Sequence, residues 1–307
     1  MTHPFGPLRL IVNPRAGRGA VGRTLPELTS ELAVQGLRFE VVQTAGIAGA
    51  RDAARAALDR GIRYLVAVGG DGTVHEVVNG MFDGDEPLVP GAVLGVASAG
   101  SGGDFARTFG LDRKPAVIAR HLASEHTMPI DVGVVEFVDA DGHAARRLFA
   151  NIAEVGYGAE VVRRAERLPR LLGRVRYLLA IYATLIRMTR QEATVEVAQG
   201  AQTVPVTELV VANGQFFGGA MKVAPRALPD DGKFNVLVFT GARSQVFLLT
   251  QKIFHGEHLP HPEIREYQSP TVAITPSEPM LIEADGEVLG TTPASFRLLE
   301  RAITLKI

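Results

Sequence analysis

The 307-residue sequence contains no cysteine. This absence excludes disulfides, thiolate nucleophiles and zinc sites built from cysteine, and it fits a protein of the reducing cytoplasm. No apolar run approaches the roughly 20 residues that a membrane-spanning helix requires, and residues 1–8 lack the basic and apolar regions of a signal peptide. We therefore expect a cytoplasmic protein that is not embedded in a membrane.

The sequence also has little excess of charge of either sign. Its 32 lysines and arginines nearly balance 33 acidic residues, which leaves a formal net charge of -1 and a pI near 6.7. Because a dedicated nucleic-acid-binding protein carries a basic excess, we expect no nucleic-acid partner. The composition, 46% hydrophobic and 21% charged, is that of a folded protein, and the length favours two domains.

Strand-like and helix-like patterns alternate through the first 130 residues. Short apolar runs predict strands at 8–13, 37–43, 64–68 and 92–97, and helical spacing predicts helices at 21–35, 48–60 and 74–82. Strands separated by helices of this length form right-handed crossovers. We therefore expect an α/β domain over residues 1–130, built on a mostly parallel sheet.

The pattern changes near residue 131. Many later segments alternate apolar and polar residues, often without helices between them: 132–138, 147–152, 193–198, 208–213, 234–240, 271–275, 280–283 and 295–306. Such segments are typical of an antiparallel sheet or sandwich. Residues 131–307 are therefore predicted to form a β-rich domain, whose last strand could return to the first domain.

A glycine-rich loop, Gly69-Gly70-Asp71-Gly72-Thr73, joins a predicted strand to a predicted helix. Glycine permits positive φ and close approach of the backbone to a ligand. The N–H groups at the start of a helix attract anionic oxygens, with help from the helix dipole. Asp71 could organise Mg²⁺ and Thr73 could contact a phosphate, whereas a plain turn is the alternative for this loop taken alone.

Two further glycine-rich loops follow other predicted strands. They span Asn13–Gly19 and Ala99–Asp104. In an open parallel sheet, ligands bind at the carboxyl ends of the strands. We therefore expect the three loops to converge on one anion-binding crevice.

Spacing excludes two other motifs. The chain has no Gly-x-x-x-x-Gly-Lys-Ser/Thr sequence, so it lacks a Walker P-loop. Residues 99–103 lack a glycine two positions before Ser101, so they do not form a Gly-x-Ser-x-Gly nucleophile elbow.

Residues 69–80, Gly-Gly-Asp-Gly-Thr-Val-His-Glu-Val-Val-Asn-Gly, resemble the signature of the diacylglycerol-kinase catalytic domain, which bacterial lipid kinases share with sphingosine and ceramide kinases. Residues 100–107, Gly-Ser-Gly-Gly-Asp-Phe-Ala-Arg, are similar to the family's Gly-Thr-Gly-Asn-Asp-Phe-Ala-Arg. Other segments match in the family's order: Asn13-Pro14 with Gly17, Thr44, 151–158, 224–227 with 230–232, and 285–287. The resemblance covers nearly the whole chain.

This resemblance implies an N-terminal α/β domain like that of NAD kinases and phosphofructokinases, followed by a β-rich antiparallel, sandwich-like domain. It implies a lipid kinase of phospholipid metabolism, which transfers the γ-phosphoryl group of ATP to the hydroxyl of diacylglycerol or a related lipid. ATP would lie in the crevice between the two domains.

The resemblance also assigns residues. It implies that Glu287 is the acid/base, with Asp285 beside it and Asp71 at the phosphates; a carboxylate can accept the proton of a hydroxyl nucleophile. A structural Mg²⁺ would lie near Asp231, held partly by the carbonyls of Leu228 and Lys233, and a second Mg²⁺ would accompany ATP. The implied ATP-binding residues are Asn13, Pro14, Arg15, Ala16, Gly17, Thr44, Gly69, Gly70, Asp71, Gly72, Thr73, Val74, His75, Glu76 and Ser101.

Two residues depart from the family pattern, and alternatives stay open. Ser101 replaces threonine and keeps a hydroxyl, whereas Gly103 replaces asparagine and loses an amide. Asp231-Gly232 and Asp285-Gly286-Glu287 are also typical hairpin turns. An NAD-kinase-like enzyme and a catalytically impaired nucleotide-binding regulatory protein are the alternative functions.

A helical stretch over 156–190 interrupts the strands of the second domain. Within 163–182, leucines and valines recur at helical spacing beside several arginines. A basic amphipathic segment can rest on an anionic membrane, and a helix packed on the sheet is the alternative. We expect a lipid substrate presented at a membrane surface, with peripheral contact at its inner face; a homodimer stays open.

Overall fold

A computed structural model of the protein describes residues 3–45, 49–98, 103–169, 172, 174–187, 189–242, 249 and 251–307. The chain divides into two compact units. The first contains Met1–Val132 and Leu299–Ile307, and the second contains Gly133–Leu298.

The first unit alternates strands and helices. Its elements are β1 (Leu8–Val12), α1 (Ala16–Val34), β2 (Phe39–Gln43), α2 (Gly49–Asp59), β3 (Tyr64–Gly69), α3 (Asp71–Gly80), β4 (Phe82–Asp83), β5 (Glu86–Pro87), β6 (Val93–Ser98), α4 (Asp104–Thr108), α5 (Pro115–Ala123), the start of β7 (Thr127–Val138) and the end of β17 (Glu287–Lys306). Its sheet has the order β2-β1-β3-β6-β17, and each of these neighbouring strands is parallel.

Strand β3 lies at the centre of this sheet and is buried along its whole length. Its apolar residues pack with those of β1 and β6 against α1 and α5, as expected for a parallel strand covered on both faces. The register pairs Val12 with Val68 and Gly69 with Ser98. The carboxyl ends of three adjacent strands therefore lie at one edge of the sheet.

The second unit is antiparallel. Its elements are β8 (Ala144–Phe149), β9 (Ile152–Gly156), α6 (Tyr157–Arg167), α7 (Arg174–Arg187), β10 (Gln191–Val197), β11 (Gly200–Val206), β12 (Glu208–Ala212), β13 (Phe234–Phe239), β14 (Ile264–Ser269), β15 (Thr271–Pro276) and β16 (Leu281–Ala284), with parts of β7 and β17. One set of strands runs β14-β13-β12-β9-β16-β17. The other joins β11, β10, β15 and β17, and the β7–β8 hairpin completes the unit.

The two faces of β9 have different neighbours. Ala153 and Val155 belong to the sandwich core, which includes the stacked rings of Phe149 and Phe234. Ile152 belongs to a second apolar cluster with Val162 of α6. Because side chains alternate along a strand, Glu154 shares the second face with Ile152.

The predicted fold class is confirmed, with local differences. The sequence predicts one strand over 147–152, but the structure ends β8 at Phe149 and begins β9 at Ile152. The break has a physical reason: the Asp285 carboxylate accepts the N–H groups of Ala150 and Asn151, which removes them from ladder pairing. Strands β11 and β14 and helices α4 and α5 were not predicted.

Candidate functional site

The loop after β3 is shaped by close packing around Thr73. A side-chain carbon at Gly69 would lie 2.6 Å from the Cβ atom of Thr73, so only glycine fits there. Gly70 has φ -101° and ψ -171°, so the expectation that the loop uses glycine for positive φ is wrong at this position. A side-chain carbon at Gly70 would meet no atom within 4 Å, which leaves room for a ligand at the start of α3.

Asp71 is the first residue of α3, and its carboxylate binds the main chain of the next loop. Its two oxygens accept the N–H groups of Gly103 at 2.9 Å and Phe105 at 3.0 Å. These bonds satisfy N–H groups at the start of α4, which have no partner within that helix. Asp71 thereby joins the loop after β3 to the loop after β6.

Gly103, where the family pattern has asparagine, lies at a position whose backbone favours glycine. It has φ 91° and ψ 46°, in the left-handed region that glycine adopts without strain. A side-chain carbon there would also overlap the hydroxyl of Ser98. Because Asp71 binds the main-chain N–H of Gly103, the contact does not require a side chain at this position. Gly100, Ser101 and Gly102 lie outside the described residues.

The loops after β1 and β2 lie at the same edge of the sheet. Asn13 donates its N–H to the carbonyl of Val68 at 3.0 Å, and its side-chain oxygen accepts the N–H of Arg15 at 3.2 Å. The hydroxyl of Thr44 donates to the carbonyl of Val12 at 3.3 Å. Asn13 therefore lies beside Val68, just before the Asp71 loop, and Pro14, Ala16 and Gly17 follow Asn13 in the first loop.

Helix α3 buries the remaining predicted nucleotide residues. Val74, His75 and Glu76 are all buried, and His75 is only 1% exposed. The side chain of Asn79 donates to the His75 carbonyl at 2.9 Å. Gly72 lies in the first turn of the same helix. The roles of these residues toward a nucleotide stay predictions.

In the second unit, Asp285 and Gly286 form the two-residue turn between β16 and β17. Their φ angles are 50° and 91°, as in the type I′ hairpin that Asp-Gly favours. The Asp285 carboxylate accepts three main-chain N–H groups, from Ala150 at 2.9 Å, Asn151 at 3.0 Å and Ile152 at 3.1 Å. The structure thus places Asp285 as an anchor for the β8–β9 connection.

Glu287 has a different environment from Asp285. It follows the turn, is partly exposed, and accepts a hydrogen bond from the guanidinium of Arg147 on β8 at 3.1 Å. This ion pair orients the carboxylate, and partial exposure leaves the group accessible. Arg147 was not predicted from the sequence because it lies 140 residues before Glu287 in the chain.

The predicted structural Mg²⁺ site lies on an exposed turn before β13. The side chain of Asp231 accepts the N–H of Lys233 at 3.0 Å, and Leu228 is exposed. A carboxylate with carbonyl oxygens is a donor set that suits Mg²⁺. The residues therefore fit the ion, and its binding there stays a prediction.

Three buried glutamates form a feature that sequence reasoning missed. Glu283 lies directly opposite Glu154, and Glu208 lies opposite Gly156 on the other neighbouring strand. The register places all three side chains on the same face of adjacent strands. Glu208 and Glu283 each keep one carboxylate oxygen with no hydrogen-bond partner among the described residues.

Burial raises the pKa values of all three carboxyl groups, and repulsion from Glu154 adds to the effect for Glu208 and Glu283. Burial raises the pKa of Glu154 to about 8. Burial, and then the charge of Glu154, raise the pKa values of Glu208 and Glu283 well above their usual range. A glutamate in a strand is an ordinary residue in the sequence, and only the register brings the three together.

A cavity adjoins two of these glutamates. It has a volume of about 90 Å³, and Glu154 and Glu208 lie among lining side chains that are mostly apolar. Gly158 also lines the cavity. A side chain at this position would overlap the Glu154 carboxylate, so only glycine fits there. Helix α6 and, through Ile181, helix α7 close one side. The second unit therefore contains an apolar cavity with carboxyl groups at its wall.

Replacing Glu154 with glutamine is expected to change how stability depends on pH. The folded chain holds a proton on Glu154 that the unfolded chain releases near the ordinary value of 4.5, so the free energy of unfolding falls as pH rises from about 4.5 to about 8. Glu154→Gln removes this pH-dependent fall in the free energy of unfolding, because glutamine does not titrate. We expect it to raise the free energy of unfolding by about 1–3 kcal/mol at pH 8.5, with little gain at pH 5.

Urea unfolding of both proteins at these two pH values measures the effect. Glu196→Gln is the matched control, because Glu196 is exposed on β10 and should leave the pH dependence unchanged. An unchanged pH dependence in Glu154→Gln would contradict the protonation of this group.

Comparison with known proteins agrees with the two-part architecture. Residues 7–135 match the model of the diacylglycerol kinase catalytic domain. Residues 151–307, about half of the chain, match the model described as the YegS C-terminal NAD kinase beta sandwich-like domain.

Several curated bacterial proteins named diacylglycerol kinase are similar over most of their length. The protein from Bacillus subtilis is 28% identical over 298 residues, which cover 96% of this chain and 94% of the relative. The protein from Mycobacterium tuberculosis is 28% identical over 306 residues, which cover 98% and 95%.

Two solved structures share the fold. A diacylglycerol kinase from Bacillus anthracis superposes with a TM-score of 0.73 at 21% identity, over 98% of this chain and 96% of that one. Yeast NADH kinase superposes with a TM-score of 0.52 at 10% identity, over 97% and 82%. With the motifs, the sheet order and the two matching models in agreement, the chain belongs to the diacylglycerol kinase catalytic-domain family.

Proposed function

We propose that the protein transfers the γ-phosphoryl group of ATP to the hydroxyl of a lipid, either diacylglycerol or a related lipid. The observation that carries the proposal is the connection between two loops at the carboxyl edge of the parallel sheet. Asp71, at the start of α3, accepts two main-chain hydrogen bonds from the start of α4 and so holds the two loops together. The absence of a side chain at Gly70 leaves open space beside Asp71. This arrangement suits a polyphosphate, because the start of a helix offers N–H groups and a positive dipole.

In this proposal, the first unit binds and aligns the nucleotide. Phosphoryl transfer depends mainly on positioning and charge stabilisation, so a rigid loop pair is the main contribution of the protein. Asp71 acts as a positioning residue through the main chain of Gly103 and Phe105. Mg²⁺ bound with ATP and near Asp231 would neutralise phosphate charge and support the loop.

The second unit supplies the acid/base and a place for the acceptor. Glu287, oriented by Arg147, accepts the proton of the acceptor hydroxyl. The cavity of about 90 Å³ beside Glu154 and Glu208 suits part of an apolar chain. An engineered cavity of about 150 Å³ takes up benzene, so the walls must move to admit a full acyl chain. Protonated carboxyl groups there can donate to the ester or hydroxyl oxygens of the acceptor.

Incubation with ATP labelled at the γ-phosphate, Mg²⁺ and a total lipid extract tests the proposal. We expect label in the organic phase, and identification of the labelled lipid names the acceptor. NAD is added in a parallel reaction, because the fold is shared with NADH kinase. Label in NAD, or label in neither acceptor, would count against a lipid kinase.

A further inference from the structure

The cavity of the second unit has two carboxyl groups at one point of its wall. Glu154 and Glu208 are each only 6% exposed, and both line the cavity. A side-chain carbon at Gly158 would overlap an oxygen of Glu154 and would lie 2.9 Å from the Oε1 atom of Glu208. Both carboxyl groups therefore face the small space above Gly158, which stays open because glycine has no side chain.

The two oxygens of Glu208 have different surroundings. The Oε2 atom accepts the N–H of Gly158 in the first turn of α6. The Oε1 atom has no hydrogen-bond partner among the described residues. A buried oxygen without a partner costs free energy that a donor on a ligand recovers. The point of the wall where a donor is missing is therefore the Oε1 atom, beside the Glu154 carboxyl group.

The three buried glutamates have no basic neighbour in the part of the chain that the structure describes. Their pKa values are raised by burial and by other carboxyl groups, and no lysine, arginine or histidine acts on them. Within the same described residues, none of the three forms an ion pair. Two arginines of α6, Arg163 and Arg164, pair with Glu160 instead. The charge that would complement the cavity wall is therefore positive.

We propose that this cavity binds the ammonium group of an amphiphile that has an aliphatic chain. The ammonium group occupies the space above Gly158, between the carboxyl groups of Glu154 and Glu208. Its chain lies against the apolar lining, which includes Val162, Val210 and Phe239. An ammonium group has three N–H donors and a positive charge, so it supplies both the missing donor and the missing charge.

Binding of the ammonium group changes the protonation of the wall. Before binding, burial raises the pKa of Glu154 to about 8 and that of Glu208 well above its usual range, so both groups hold a proton at neutral pH. An opposite charge within hydrogen-bond distance favours the ionised form of a carboxyl group. One of the two groups therefore releases its proton to the solvent, and a neutral ion pair remains in the cavity.

Other ligands match the wall less well. Ca²⁺ takes six to eight oxygen ligands and Mg²⁺ an octahedral set, whereas the lining beyond the two carboxyl groups is mostly apolar. A hydroxyl group has one O–H donor and an ester has none, and neither brings a positive charge. Two acids within apolar walls select a cation whose remaining surface is apolar.

Binding of the amphiphile does not depend on kinase activity. Its use in the reaction rests on the proposed function, and there it narrows the class of acceptor. The acceptor is then a lipid that has an amino group in addition to the hydroxyl that receives the phosphoryl group. Diacylglycerol has no amino group, so the identity of the labelled lipid distinguishes the two classes.

Hexylamine and 1-hexanol test the site, because they share one aliphatic chain and differ in the polar group. Calorimetric titration of the protein without ATP measures both dissociation constants. At about pH 7.5 the amine is protonated, and we expect it to bind at least about tenfold more tightly than the alcohol. Because a carboxyl group must release a proton, affinity for the amine should rise about tenfold per pH unit between about pH 6 and pH 7. Affinity for the alcohol should not rise.

Glutamine substitutions test the two carboxyl groups. Glu154→Gln combined with Glu208→Gln keeps the size of both side chains and removes their negative charge. We expect this variant to bind hexylamine at least about tenfold more weakly and to bind 1-hexanol within about twofold of the unaltered protein. Retained binding of the alcohol shows that the cavity is intact. Glu196→Gln is the matched control, because Glu196 is exposed on β10, and it should bind both ligands normally.

Two results would overturn the proposal: equal affinity for the amine and the alcohol, and amine binding that depends neither on pH nor on the two glutamates. Label from ATP in a lipid without an amino group would overturn the narrowed acceptor class, even where hexylamine binds as expected. Absence of label from every lipid would count against the kinase function alone. A failure of the amine site is therefore distinct from a failure of the proposed function.

Discussion

Glu287→Gln is expected to bind ATP within a few fold of the unaltered affinity while its turnover falls by about 10²-fold or more. Glutamine keeps the shape of the side chain and can still accept the hydrogen bond from Arg147. It cannot take the proton of the acceptor hydroxyl at neutral pH. Binding and chemistry should therefore separate in this variant.

Nucleotide affinity from the ATP-dependent thermal shift, and lipid phosphate formed by the same preparation, measure the two effects. Glu136→Gln is the matched control, because Glu136 also pairs with an arginine of the second unit, Arg297, at the surface. It should have unaltered turnover. An equal fall of affinity and turnover in Glu287→Gln would assign Glu287 to nucleotide binding or to the fold, and no fall would place the base elsewhere.

Asp71→Ala is expected to lower turnover by about 10²–10³-fold while the chain stays folded. The substitution removes both acceptors for the N–H groups of Gly103 and Phe105. The loop after β6 then loses its fixed position beside the start of α3. The phosphates of ATP are then no longer aligned with the acceptor hydroxyl, and this alignment is the main contribution of the protein to the rate of phosphoryl transfer.

The rate of lipid phosphorylation by Asp71→Ala tests the expected loss of turnover, and its urea unfolding tests whether the chain stays folded. Asp71→Asn should have an intermediate rate, because its amide oxygen can replace only one of the two acceptors. Asp83→Ala is the control: Asp83 is exposed and pairs with Arg55 at 3.0 Å away from the loops. Unaltered turnover in a folded Asp71→Ala protein would end the assignment of this loop to the phosphates.

The glycine-rich loops show how local sequence can predict a site. Each loop follows a short apolar run, and parallel strands align their carboxyl ends. The convergence of the segments at Asn13 and Asp71 could therefore be predicted without knowing the contacts. The prediction that Gly70 has a positive φ angle was wrong: its φ is -101°. The φ angle depends on the local path of the chain and not on residue type alone.

The contacts of Asp285 and Glu287 could not be predicted from the local sequence. The sequence has two acidic residues on either side of a glycine, and a turn was expected of them. Their carboxylates differ because Asp285 reaches the main chain of residues 150–152 and Glu287 reaches Arg147. Partners more than 130 residues away in sequence are set by strand pairing.

By itself, the sequence determined the two-part architecture, the parallel sheet of the first unit and the loops at its carboxyl edge, because hydrophobic periodicity and glycine placement are local properties. Only the tertiary structure decided that Asp71 binds the backbone of the next loop, that Glu154, Glu208 and Glu283 share one buried face, and that α7 exposes several apolar side chains. These features depend on register and on which face of an element is covered. Both are settled by contacts between segments distant in the chain, which periodicity within one segment does not contain.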